Sequence, residues 1–188
     1  MALKALVEEA VVEALHIGGD EVVRLYVAAC AERMAPLFIG LRAGGSGRKA
    51  DVDFVVESVG GLWFADRSLP DTADRVGRLE QFPELQPAEE GITGVADTYT
   101  FFAGLVLRYA LLANSSGNVD HAVSCGHAAL TAMGMLDQNA AGASFAADEQ
   151  RLQSLSVSDT AAGLWEASVA AGRERFRAVL SRTTGSGR

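Results

Sequence analysis

Apolar positions recur at helical spacing along almost the whole chain. The densest stretch, residues 92–113 (ITGVADTYTFFAGLVLRYALLA), is hydrophobic on nearly every side, with Asp97 and Arg108 as its only charges. Such a helix belongs in a bilayer or at the centre of a sizeable core. The run is long enough for a crossing, but each charge near the bilayer centre costs about 2.5–3.5 kcal/mol. Gly91 and Gly94 weaken its start, and no basic cluster flanks either end. Amphipathic segments on both sides are suited to covering it, so the run is expected to be a buried central helix and not a membrane span.

In the first of those segments Leu3, Leu6, Val7, Ala10, Val11, Ala14 and Leu15 share one helical face, and Gly18-Gly19 stops the helix. Asp20 is placed to cap a second helix to about residue 41, with Val22, Val23, Tyr26, Val27, Cys30 and Met34 inward. Pro36 removes a backbone donor, so this helix is expected to kink or end near Ala35. Residues 43–49 (AGGSGRK) read as a flexible loop, and residues 51–65 as a third helix burying Val52, Val55, Val56, Val59 and Trp63. Leu69-Pro70-Asp71 is a stop followed by a cap, Asp71 pairing with Asp74 at the head of a short helix through Leu79. Residues 82–87 form a rigid connector held by Pro83 and Pro87. The central helix ends in residues 114–118, where Asn118 or Asp120 starts a helix to about Gln138. A shorter piece is expected around residues 148–155 and a last long helix over 158–181, before a frayed polar tail at 183–188. No segment alternates with period two. The expected fold is all-α: a single domain, residues 1–182, built as a bundle of six to eight helices around the buried central helix.

At 188 residues the chain is long enough to bury a good core without disulfides. A content of 49% hydrophobic and 21% charged residues excludes disorder for its bulk. Glu8, Glu9 and Glu13 interrupt the apolar stretch that a secretory signal needs. Cys30 and Cys125, far apart in apolar helical contexts, read as buried thiols in a reducing compartment, and a cytoplasmic location is expected.

Glu32-Arg33-Met34-Ala35-Pro36 resembles the E-R-M-x-P signature of a YjaG-like family of small helical bacterial proteins. His121-Ala122-Val123, Thr131 and Met135-Leu136-Asp137 follow in matching order, and the Asp97 region and Trp165-Glu166 fall where that family has similar elements. The resemblance spans roughly residues 20–180 at low identity, and the loop 43–49 and the alanine-rich stretch 139–147 depart from it. It implies an all-helical fold and a cytoplasmic location, and it brings no catalytic residue with it.

Several clusters invite chemistry. Gly44-Gly45-Ser46-Gly47-Arg48-Lys49 lacks the spacing and hydroxyl residue of a phosphate loop and follows a helix, so it reads as a linker. His121 and Cys125, four apart on one helix, could share a face, but zinc wants three or four ligands and only the distant Cys30 and His16 could add to them. A nucleophilic Cys–His pair needs the thiol activated by a positioned base. Glu32, Glu57 and Asp137 lie on different helices and could converge, yet the paired Glu-x-x-His motifs of two-iron bundles are missing. No metal and no cofactor are expected. Asp97, in an apolar helix, must be paired or protonated. Arg33 and Arg108 are candidate partners, and the family-like position of Arg33 favours it. A ligand pocket lined by Asp97, Tyr99, His121 and Cys125 is the alternative.

Charge separates the functional classes further. The net charge of −8 disfavours nucleic acid, and between Leu79 and Gln150 the only basic residue is Arg108, against nine carboxylates. The arginines at 173, 175, 177 and 182 fit a helix C-terminus, whose dipole they complement. An acidic surface attracts basic partners. Glu80, Glu84, Glu89 and Glu90 around the connector, with Phe82 and Leu85 as an apolar anchor, make a candidate partner-binding face. The leading expectation is therefore a non-enzymatic protein-binding module such as an immunity protein or adaptor, with which a homo-oligomer is also compatible. A small-molecule or enzymatic bundle with a polar pocket at Asp97 is the alternative.

Overall fold

The computed structural model describes residues 6–64, 66–87, 91–92, 94–138, 142 and 144–185. Seven α-helices and one 3-10 turn follow one another among them: α1 (Glu9–Arg42), α2 (Lys49–Leu62), α3 (Thr72–Leu79), the turn Pro83–Leu85, α4 (Val95–Ser116), α5 (Val119–Asp137), α6 (Phe145–Ser156) and α7 (Ala161–Gly185). None of the described residues is in a strand. The chain is an all-α bundle, as its periodicity predicts.

α1 joins the first two predicted helices and is interrupted only at Gly19, whose φ of 70° and ψ of −169° lie outside the helical region. That conformation suits glycine, which has no Cβ to clash at positive φ. Pro36, expected to kink or end the helix, does not end it: α1 continues to Arg42, with helical backbone angles throughout this stretch. The missing N–H costs one backbone bond, but Leu37 and Phe38 just beyond it are buried in the core. α7 passes unusually close at this point. A Cβ added to Gly172 would lie 2.9 Å from Pro36 Cγ and 3.2 Å from the carbonyl oxygens of Glu32 and Arg33.

α4 packs on α1, α2, α3, the 3-10 turn, α5 and α7. It is the one helix among the described residues long and apolar enough to cross a membrane, with 44% of its most apolar window buried in the bundle. Phe101, Phe102, Leu105, Tyr109 and Leu112 along one side remain half-buried. The second half of α1 is enclosed more fully, because α2, α4, α5, α6 and α7 all pack on this helix. Tyr26, Val27, Ala28, Ala29 and Cys30 are wholly inaccessible there. Bulky α4 and small-residue α1 thus form the axis of the bundle together.

The boundaries hold other corrections. α2 buries Phe54, Val55, Ser58, Val59 and Leu62, whereas Val56 is 52% exposed and Trp63 lies just beyond the helix, half-buried. Asp71 stands before α3 in the left-handed region and makes no capping bond; Thr72 Oγ1 donates instead to the Leu69 carbonyl, at 2.6 Å. Asn118 does cap α5, accepting from the Asp120 amide at 2.8 Å. The loop before α2 is tethered: the Arg48 guanidinium lies 5.7 Å from the centroid of the Phe38 ring and pairs with Glu84 at 2.8 Å. α7 runs to Gly185, so residues 183–185, expected to fray, are helical.

Candidate functional site

The deepest polar cluster joins three helices. Arg33 of α1 grips Glu149 of α6 with two parallel bonds, Nε to Oε2 and Nη2 to Oε1, both 2.9 Å. Arg175 of α7 donates to Oε2 from the other side, at 2.6 Å. None of the three is more than 1% exposed. Gln153 Nε2 donates to Glu149 Oε1 at 2.8 Å, and Tyr26 donates to Gln153 at 3.0 Å. Ser156 and Ser168 accept from Arg33 Nη1, each at 3.4 Å, and Cys30 Sγ lies 3.2 Å from Nη2. Burial pushes the Glu149 carboxyl up, but Arg33 and Arg175 outweigh it and hold the group down at about 2. Burial also lowers Arg33, and the Glu149 carboxylate more than restores it. The buried charges thus stay ionised because they face each other.

Arg33 therefore does not pair with Asp97. Asp97 sits in the first turn of α4, its side chain 58% exposed, and accepts from Arg42 Nη2 at 2.6 Å. The first turn of a helix leaves amides free and favours a carboxylate, so Asp97 needs no interior cation. Replacing Asp97 by Ala is expected to cost about 0–1 kcal/mol, as for an exposed pair; a loss above about 3 kcal/mol in urea unfolding would show an enclosed pair instead. Arg175, too, is not a surface complement to a helix dipole, since it is buried well before the end of α7.

Of the proposed acidic face, Phe82 and Glu84 turn inward. Phe82 is 3% exposed, its ring 5.5 Å from that of Phe38 and 5.7 Å from that of Phe54. Leu85 is half-buried and packs beside Gly104 of α4. The Glu84 side chain is only 4% exposed and is held by Arg42 at 2.7 Å and Arg48 at 2.8 Å. Burial raises its carboxyl, and the bonds from Arg48 and Arg42 bring it below the ordinary range. Glu80 pairs with Arg108 at 2.7 Å, and Glu89 and Glu90 lie outside the described residues. The 3-10 turn docks the connector on α4, with Phe82 in the core and Leu85 half-covered. An open cleft of about 480 Å³ remains, lined in part by Arg42, Arg48, Glu84, Ile92 and Asp97.

Of the alternative pocket, only Asp97 borders that cleft. Tyr99 is buried and accepts from Arg182 at 2.7 Å, and its phenol is raised, chiefly by burial. His121 is half-buried, with Nδ1 enclosed. Cys125 points into the core toward the Val106 carbonyl, and burial pushes its thiol well up. Glu57 pairs with Arg75, while Asp137 accepts from the amides of Phe145 and Ala146 at the start of α6. Among the described residues no three His, Cys, Asp or Glu side chains are placed to hold a metal ion.

A different surface stands out between the end of α2 and the start of α7. Trp63 Nε1 donates to Glu32 Oε2 at 3.0 Å. Glu32 is half-buried and, among the described residues, has no ion-pair partner. Trp165, 49% exposed, lines the same shallow cleft of about 420 Å³, with Gly60, Ala161 and Ala162. Just beyond it Phe64 is 57% exposed, with the Arg67 guanidinium 5.5 Å from its centroid. Sequence reasoning assigned Trp63 to the core and tested Glu32 only as a metal ligand. The signal lay in α7, whose inner stripe of Leu164, Ser168, Ala171, Arg175 and Val179 sets Trp165 outside it.

No family model matches the chain, and no curated protein and no solved structure matches it significantly. The YjaG-like resemblance rests on its short motifs alone.

Proposed function

We propose that this protein is a non-enzymatic binding module for a basic protein partner, acting in the cytoplasm in the manner of an immunity protein or adaptor. One observation carries the reading: on a molecule of net charge −8, Trp165 stays exposed on the cleft it shares with Trp63, and Phe64, next to Trp63 in the chain, is exposed too. Exposed aromatic anchors rimmed by charge are the usual make-up of a protein-binding hot spot. The buried thiols and the Arg33–Glu149–Arg175 cluster are closed to solvent, which suits a structural use of both.

This moves the contact away from the Phe82 connector. The acidic surface keeps the role of speeding encounter, which salt screens over about 8–10 Å. The tagged chain, incubated with extract of its native host, is expected to retain a basic protein whose association slows as salt rises. Trp165→Ala, at an exposed position, should weaken the complex at least tenfold while leaving the fold intact. No partner at either salt, or a partner indifferent to that substitution and to salt, refutes the reading. The second reading, a small-molecule pocket at Asp97, is favoured by the cleft of about 480 Å³ beside Arg42 and Arg48, and stabilisation of the protein by a small anion there would move it to first place.

A further inference from the structure

Resting on that reading, we infer that the cleft between Trp63 and Trp165 receives an arginine side chain of the partner, with Glu32 as its counter-ion. The observations are independent of the net charge. Glu32 is a half-buried carboxylate that makes no ion pair among the described residues, whereas Glu80 and Glu84, also half-buried, are held by arginines. Its Oε2 is fixed by the Trp63 indole N–H at 3.0 Å. The carboxylate is thereby oriented in the cleft, with acceptor capacity left on Oε1.

The walls fit a planar cation. An indole face attracts a guanidinium through its ring quadrupole, most of all where water is partly excluded. A guanidinium can stack on such a face and still donate in its own plane to a carboxylate, which an ammonium cannot. Gly60, Ala161 and Ala162 keep the space between the aromatic walls free of larger side chains. A Cβ at Gly60 would meet no atom within 4 Å, so the cleft is open there. Trp165 lines the cleft from an exposed position, and Glu166, next to it in the chain, is an exposed carboxylate.

The chain has two tryptophans and both border this cleft, so intrinsic fluorescence reads the site directly. The probe is N-acetyl-arginine amide at constant ionic strength, with the neutral isostere N-acetyl-citrulline amide as control. We expect a saturable change for the arginine probe, with a dissociation constant on the order of 1–10 mM, and none for citrulline. Glu32→Gln removes the charge but keeps an acceptor for Trp63, and Gly60→Leu fills the cleft from a position with room for it. Both should weaken the response at least tenfold with unchanged circular dichroism. An equal response to citrulline, or one unaffected by both substitutions, overturns the assignment. A basic partner that binds Gly60→Leu as tightly as wild type overturns this site and leaves the binding-module reading standing. Probe binding at the cleft with no basic partner recovered overturns that reading and leaves a site for a free guanidinium compound.

Discussion

Replacing Glu149 by Ala is expected to destabilise the protein by about 3–5 kcal/mol, because it strands two guanidiniums in the core. Glu149 is wholly buried and receives bonds from Arg33, Arg175 and Gln153. Its depressed pKa gives the effect a pH signature. The carboxyl sits at about 2 in the folded protein, against about 4.3 for an unperturbed Glu. A folded-state value below the unfolded one means that the stabilisation is complete above about pH 5 and is lost as pH falls toward about 2. A depression of that size corresponds to about 3 kcal/mol. Urea unfolding of wild type and Glu149→Gln, compared at several pH values, checks this. The gap between them should be widest near neutrality and narrow steadily below about pH 5. A gap that is constant with pH would mean that the carboxylate is not held ionised by its arginines.

Phe82→Ala is expected to cost about 3–5 kcal/mol, the usual range for deleting a fully buried aromatic ring. The ring is 3% exposed and touches Phe38 and Phe54, with Arg48 at 6.0 Å from its centroid. Its removal opens a cavity and also loosens the loop that Arg48 tethers. Thermal unfolding should show a large fall in Tm. At a temperature where both forms are folded, affinity for the arginine probe should be unchanged. A folded, stable variant that had lost only partner binding would restore Phe82 as a surface anchor.

The helical content, the break at Gly18-Gly19 and the Asn118 cap could be read from the sequence because each follows from local rules: apolar spacing, a residue tolerant of positive φ, a side-chain acceptor next to free amides. Pro36 shows where local rules yield. One lost backbone bond is outweighed by the burial of Leu37 and Phe38 and by the contact with Gly172. The partner of Arg33 was harder to find. Glu149 and Arg175 lie on the inner stripes of α6 and α7, beside Leu152 and Ser168, so their burial follows from spacing. The meeting of Glu149 with Arg33, 116 positions away, does not. Phe82 misled for a related reason. A Phe-Pro in an acidic connector looks exposed until the connector is known to fold back on α4. The E-R-M-x-P motif itself has structural uses that its letters do not reveal: Glu32 holds Trp63, Arg33 holds Glu149, Met34 fills the core and Pro36 lies against Gly172.

The arrangement of Arg33, Glu149 and Arg175 also bears on how the last two helices assemble. Each group comes from a different helix, and every partly docked state leaves the cluster either incomplete or open to water. With α6 in place and α7 absent, Glu149 has Arg33 but the cavity left by α7 admits water. With α7 in place and α6 absent, two guanidiniums face each other with no anion between them. A slip of α7 by one turn would bring Ala171 or Val179 near the position of Arg175 and leave the guanidinium in an apolar layer. Near misses are thus penalised far more than a purely apolar interface would penalise them, where one Leu substitutes for another at little cost. α6 and α7 should consequently dock in a single register and open together, as one cooperative unit whose amides exchange with solvent at a common rate.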